Sequence, residues 1–110
     1  MALEKRETPV IASLAIEAHF ADGTTTPVTI GIGTPYRCTT GEWACPVKLT
    51  GLYESLADAR GGDSLQALCL ALSLAFDLLQ DVRDRGGRLS FEGGSEFPLE
   101  AYAFGVARKA

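Results

Sequence analysis

The sequence is poor in the residues that usually build active sites. It holds one histidine, His19, three cysteines, and fewer basic than acidic side chains, 10 against 14, for a net charge of −4. Each shortage closes a class of function. One histidine among scattered carboxylates does not supply the convergent ligands of a metal centre, so no metal and no cofactor is expected. The cysteines are odd in number and follow no metal-binding spacing, since Cys38 and Cys45 stand apart in one region and Cys69 lies in a helical stretch. A disulfide scaffold would show more of them at even count, and a reducing, cytoplasmic compartment is the simpler expectation. An acidic chain repels phosphate backbones and anionic membranes, which argues against nucleic acid as a partner. The one basic group, Arg83, Arg85 and Arg88, falls at a helix end, where the dipole favours cations. No secretory signal is visible, because Glu4, Lys5, Arg6 and Glu7 precede only a short apolar stretch that Glu17 ends.

What the chain does have is a long helix over residues 63–85 with oil on too many sides. At about 100° per residue, Leu65, Leu68, Cys69, Leu72, Phe76 and Leu79 form one compact stripe, read here as the core face. Leu70, Leu74 and Leu78 fall on the far side, with Ala67 and Ala71 leading round to them. A polar strip of Gln66, Ser73, Asp77, Gln80 and Asp84 remains. A helix lying on one sheet needs a single stripe. The second side must meet the chain's own tail, a second copy or another protein. As a membrane span the helix reads as too short and too polar, since a span takes about 20 apolar residues and Asp77 interrupts this one, so no membrane partner is expected.

Around the helix the pattern is β. Residues 9–20 alternate, with Ile11, Ser13, Ala15, Glu17 and His19 on one face. Asp22-Gly23 is a turn dipeptide. A second strand over 26–33 lines up Val28, Ile30 and Ile32, with Gly31 and Gly33 marking a bulge or a close backbone approach. Residues 34–41 read as a loop. A third strand over 42–50 alternates Trp43, Cys45, Val47 and Leu49, and Pro46 makes it an edge or a bulged strand. Asp63 and Gln66 form a capping-box pattern at the helix start, and Gly86-Gly87 ends it. Residues 88–91 read as a short fourth strand. The tail, 99–106, carries Tyr102, Phe104 and Val106 at strand spacing and is expected either to add a strand or to cover the helix. The order β-β-β-α-β predicts an α+β fold, an antiparallel sheet of about four strands with one long helix on one face. One domain over 9–110 with a flexible lead-in at 1–8 accounts for the length.

Few side chains suggest chemistry. Cys45 and Cys69 lie on apolar faces and read as small core hydrophobes. Cys38 sits in the 34–41 loop, where the Arg37 guanidinium would stabilise a thiolate. His19 reads as a solvated strand-end imidazole with only Glu17 near enough to orient it. Gly61-Gly62-Asp63-Ser64 imitates a phosphate loop at a helix N-terminus, but no lysine follows the glycines and Asp63 puts negative charge where a phosphate would sit. No catalytic residue is assigned.

Two strings have a likeness elsewhere. Trp43-Ala44-Cys45-Pro46 and Gly62-Asp63-Ser64-Leu65-Gln66-Ala67-Leu68, with Gly51-Leu52 between them, resemble a family of small stand-alone bacterial proteins catalogued as a domain of unknown function. The likeness spans residues 26–98. It implies a bacterial cytosolic protein and supplies no activity.

The expectation is a non-catalytic protein-binding domain whose partner is a second copy, or a toxin or other bacterial protein. In the toxin-neutralising form, Glu42, Glu54, Asp58, Asp77, Asp81 and Asp84 would enter a basic cleft. The candidate interface is Leu70, Leu74, Leu78, Tyr102 and Phe104. The alternative is a small-molecule binder or minor enzyme using the 34–43 loop, with Tyr36, Arg37, Cys38 and Trp43 as ligand residues and a pocket near Trp43 as its signature.

Overall fold

The computed structural model describes residues 4–102 of the chain. It is an α+β fold. Strands β1 (Val10–His19), β2 (Thr25–Gly33), β3 (Tyr36–Arg37), β4 (Trp43–Cys45), β5 (Val47–Thr50) and β6 (Ala59–Gly61) lead into helix α1 (Ser64–Asp84), followed by β7 (Arg88–Ser90) and helix α2 (Leu99–Tyr102). The expected antiparallel sheet is present with four strands in the order β5-β2-β1-β7, and a second sheet of three, β3-β4-β6, stands beside it.

The β1–β2 hairpin follows from alternation. Ile16, Ala18, Val28, Ile30 and Ile32 are buried on one face, while Ser13, Ala15 and Thr29 are exposed on the other. The register slips between Val10 and Ala12, placing a bulge at Ile11. Pro46 splits the stretch read as a third strand. Before it, β4 belongs to the small sheet; after it, β5 forms the edge of the large one. The chain can switch sheets there because Pro46 has no N–H to leave unpaired. Its carbonyl accepts the Gly33 N–H at 2.9 Å, and a Cβ on Gly33 would come within 2.9 Å of the proline ring.

Helix α1 is capped as its ends predict. Asp63 accepts the Gln66 N–H at 2.7 Å, and the Gln66 side chain accepts the Gly62 N–H at 2.6 Å. At the far end Gly86 has φ of 88°, donates to the Arg83 carbonyl, and Gly87 donates to Val82, closing a Schellman turn. Which face of α1 is buried differs from the sequence reading. The core face is Ala67, Ala71, Ala75, Leu79 and Val82. The two leucine rows read as opposite sides are its two flanks. Leu68, Leu72 and Phe76 pack half-buried along one, Leu74 and Leu78 along the other, while Leu65, Leu70 and Cys69 reach solvent. Small residues in the centre let the helix backbone approach both sheets, and the long side chains reach down around it. By length and composition α1 would suffice to cross a membrane, contrary to the sequence reading, but its alanine face is buried in the core.

The tail, expected to add a strand or to cover the helix, is helical over Leu99–Tyr102 and lies against α1 through Tyr102, and Phe104 and Val106 lie outside the described residues. Leu99 and Phe97 are buried, and Phe97 stands between Phe91 and Tyr102 with ring centroids at 5.5 and 4.7 Å. Tyr102 in turn meets Phe76 of α1 at 6.1 Å.

Candidate functional site

The small sheet sorts the loop residues onto two faces. Across its three strands Tyr36 pairs with Ala44 and Ala44 with Arg60, so these share one face; Arg37, Trp43 and Gly61 make the neighbouring row. The Trp43 row turns toward α1, where a Cβ on Gly61 would stand 2.7 Å from the Ala67 nitrogen. Two-residue periodicity adds Cys38 and Asp58 to the Tyr36 face. The four residues grouped from the sequence as a ligand loop are therefore divided. Tyr36 and Cys38 are buried together with Ala44, Trp43 packs against the main core, and Arg37 is exposed, with its Nε donating to the Gly41 carbonyl at 3.2 Å.

The Tyr36 face carries a buried polar cluster. The Tyr36 hydroxyl donates to Asp58 Oδ2 at 2.5 Å, and the Asp58 carboxylate also accepts the Arg6 N–H at 3.3 Å and faces Lys5 Nζ at 3.5 Å. Asp58 is buried, so it is unavailable to a basic partner of the kind the toxin reading required. The cation beside Cys38 is Arg60, not Arg37: its Nη1 lies 2.9 Å from Sγ and 3.4 Å from Glu42 Oε2, while Nη2 donates to the Glu4 carbonyl. Residues 4–8, read as a flexible lead-in, supply much of this. Glu4 accepts from the Thr39 N–H at 3.0 Å and from its hydroxyl at 3.2 Å, and the Arg6 guanidinium lies 5.1 Å from the centre of the Tyr36 ring. The group thus pairs most of its donors and acceptors, the buried Arg60 Nε excepted, and ties the N-terminal segment to the small sheet.

The electrostatics follow the geometry. Burial, then the hydrogen bond and charge of Asp58, push the Tyr36 phenol well above its ordinary value. The Thr39 amide holds the Glu4 carboxyl low, and the Thr40 hydroxyl does the same for Glu42. Burial raises the Cys45 thiol to about 11, with the Asp58 charge adding to it, so that cysteine is inert at neutral pH. Tyr36 gives a pH prediction. The unfolded phenol releases its proton near pH 10, the folded one only at higher pH. Stability from this group is complete below about pH 10 and falls as pH rises through the folded value. Urea midpoints of the wild type should therefore decline above pH 10, and Tyr36→Phe should flatten that decline. The same substitution takes from the buried Asp58 the shortest of its hydrogen bonds and leaves the Arg6 N–H and Lys5, at about 1–3 kcal/mol at neutral pH. Parallel alkaline slopes in the two proteins would refute the assignment.

Elsewhere His19 is more engaged than a solvated imidazole. Its Nε2 is 2.8 Å from the buried Ser90 hydroxyl and its Nδ1 3.0 Å from the Thr25 hydroxyl, so the ring ties β7 and β2 across β1. Cys69, read as core, is exposed. Among the described residues no group of three or more His, Cys, Asp or Glu side chains is arranged to hold a metal ion.

The candidate interface residues also separate. Leu74 and Leu78 are half-buried against the core, Leu70 is exposed, Tyr102 stacks on Phe97, and Phe104 lies outside the described residues. The continuous apolar surface is instead on the other flank of α1. Leu72, Phe76 and Tyr102 face Ala12, Leu14 and Ile32 across a groove of about 160 Å³. Leu65, 68% exposed, and Cys69 extend the same flank toward the helix start.

A family model described as Domain of unknown function (DUF6968) matches residues 17–101. The chain belongs to this family. No curated protein and no solved structure matches it. The matched span contains both sheets' pairing with α1 and all of Tyr36, Cys38, Asp58 and Arg60, and it begins after most of β1. Of the polar cluster, sequence reasoning missed Arg60 and took the buried Asp58 for a surface acid. Their signal was an acid and a base two residues apart, flanking an alanine in what read as a connector.

Proposed function

We propose that this domain works by binding protein, first of all a second copy of itself, in a reducing cytoplasmic setting, and that it is not a catalyst. The supporting observation is the apolar flank of α1 and its groove, which place exposed Leu65 and Cys69 in line with Leu72, Phe76 and Tyr102. Contiguous apolar surface of this kind marks association sites, and two-fold homodimers are the commonest outcome. Three free thiols, one of them exposed, suit a reducing compartment. The small-molecule alternative loses its footing because Tyr36 and Cys38 are buried and their polar atoms are already engaged.

Light scattering over a concentration series tests the reading. A mass rising from 11.7 kDa toward twice that value is expected. Leu65→Glu places a charge on the flank at a helix start, where the dipole favours an acid. It should weaken association at least tenfold, about 1.4 kcal/mol, with the thermal midpoint of the dilute monomer unchanged. A mass fixed at that of one chain at every concentration would overturn the reading.

A further inference from the structure

The large sheet is incompletely edged. Strand β7 pairs only with Glu17, Ala18 and His19 of β1. Among the described residues, 10–16 of β1, the bulged Ile11 apart, pair with β2 on one side and have no strand on the other. Sheet edges are usually guarded by charge, by proline or by shortness. This one has none of these within it. Residues 10–16 read Val-Ile-Ala-Ser-Leu-Ala-Ile, without a charged side chain, and Val10 and Ile11 are 62% and 53% exposed. The bulge at Ile11 is the one guarding device, and it lies at the strand's far end. The groove beneath Ala12 and Leu14 opens beside this edge, and the exposed flank of α1 continues from it.

We propose that two copies of this chain join edge to edge through residues 10–16 of β1, each strand running antiparallel to its counterpart about a two-fold axis near Ser13, so that two four-stranded sheets become one of eight. The proposal rests on the self-association reading and gives it a geometry. A strand paired with its own image is self-complementary by construction. Centred on Ser13, Val10 faces Ile16, Ile11 faces Ala15 and Ala12 faces Leu14, all apolar pairs of the kind that stabilise sheets. Charge selects the same surface. Each copy carries −4, which repels its twin over most orientations, but residues 8–16 and 64–76 contain no charged side chain. Two copies meeting there oppose no like charges. Seven residues of strand alone bury too little for a stable dimer, and the α1 flank beside the groove supplies further apolar area.

The test uses the full chain in a Cys69→Ser background. Ser13→Cys should form a disulfide-linked dimer on mild oxidation, because residues opposed across a two-fold in antiparallel strands have Cα separations of about 4.5–5.5 Å, within disulfide reach. Thr29→Cys, exposed on the interior strand β2, should not. Ser13→Lys should set two cations against each other and raise the dimer dissociation constant at least tenfold, while circular dichroism and the monomer's melting stay those of the wild type. Dimerisation of the wild type should depend little on salt. Cross-linking no faster at Ser13 than at Thr29, or a dimer that survives Ser13→Lys yet is lost with Leu65→Glu, would overturn edge pairing and leave self-association standing. A wild type that stays monomeric would overturn both.

Discussion

Phe97→Ala is expected to lower stability by about 3–5 kcal/mol, the usual cost of truncating a buried phenylalanine. Phe97 is 1% exposed and the largest wholly buried side chain among the described residues. Its ring is met edge-on by Phe91 and faced by Tyr102, and its backbone N–H donates to the Leu89 carbonyl at 3.0 Å, so it fixes the return of the chain after β7. The substitution opens a cavity beneath α2, which is too short to hold itself and sits on Phe97 through Tyr102. The loss is comparable with the whole margin of about 5–15 kcal/mol typical of a small domain. At about 4–8 °C per kcal/mol, the melting temperature should fall by roughly 15 °C or more. Phe97→Leu keeps much of the apolar volume and should cost clearly less. A Phe97→Ala protein melting within about 5 °C of the wild type, a drop of roughly 1 kcal/mol, would show that the ring is not a core anchor.

Phe97 was not legible as a core residue, and the reason applies to the whole fold. Apart from β7, read as a short fourth strand at 88–91, the elements readable from the sequence were those long enough to show a period. β1 and β2 alternate over 10 and 9 residues, and α1 runs for 21 between a capping box and a glycine pair. β3 and β6 have 2 and 3 residues, too few for a two-residue period to be seen against chance, and the three residues of β4 were read as the start of one strand continuing into β5. The second sheet was therefore invisible, and with it the pairing of Tyr36 with Asp58, made across 22 positions. Phe97 fell in a Gly/Ser/Pro stretch that reads as a loop, and the strand spacing of the tail, Tyr102, Phe104 and Val106, was three residues, too short a run to exclude a turn of helix over Leu99–Tyr102.

The polar cluster illustrates the same limit in chemistry. Arg37 is adjacent to Cys38 in the chain, so it was the natural cation for the thiol. In a strand, adjacent residues point to opposite faces. The cation that reaches Sγ had to come from a paired strand, and Arg60 does. Recognising β3 as a strand would have excluded Arg37 and required a partner from elsewhere.

The reading of α1 erred for a different reason. A stripe weighted by side-chain size centres on leucines, but the line of closest approach between helix and sheet belongs to the smallest apolar residues. Ala71→Leu tests this directly. Ala71 is 0% exposed at the middle of the alanine row, and one turn earlier the helix backbone lies so close to β6 that a Cβ on Gly61 would stand 2.7 Å from the Ala67 nitrogen. Three added carbons must displace the helix backbone, since the flanking leucines already occupy the sides. A cost of about 3 kcal/mol is expected, at the upper end of the range for overpacking. Leu70→Ala and Leu65→Ala, at exposed positions, should stay within about 0.5 kcal/mol. Urea denaturation of the three variants at low protein concentration, where association does not contribute, decides the matter. If Ala71→Leu were tolerated while Leu70→Ala proved costly, the helix would have to be turned so that its leucine row faced the sheets. The surface left open beside β1 would then change with it.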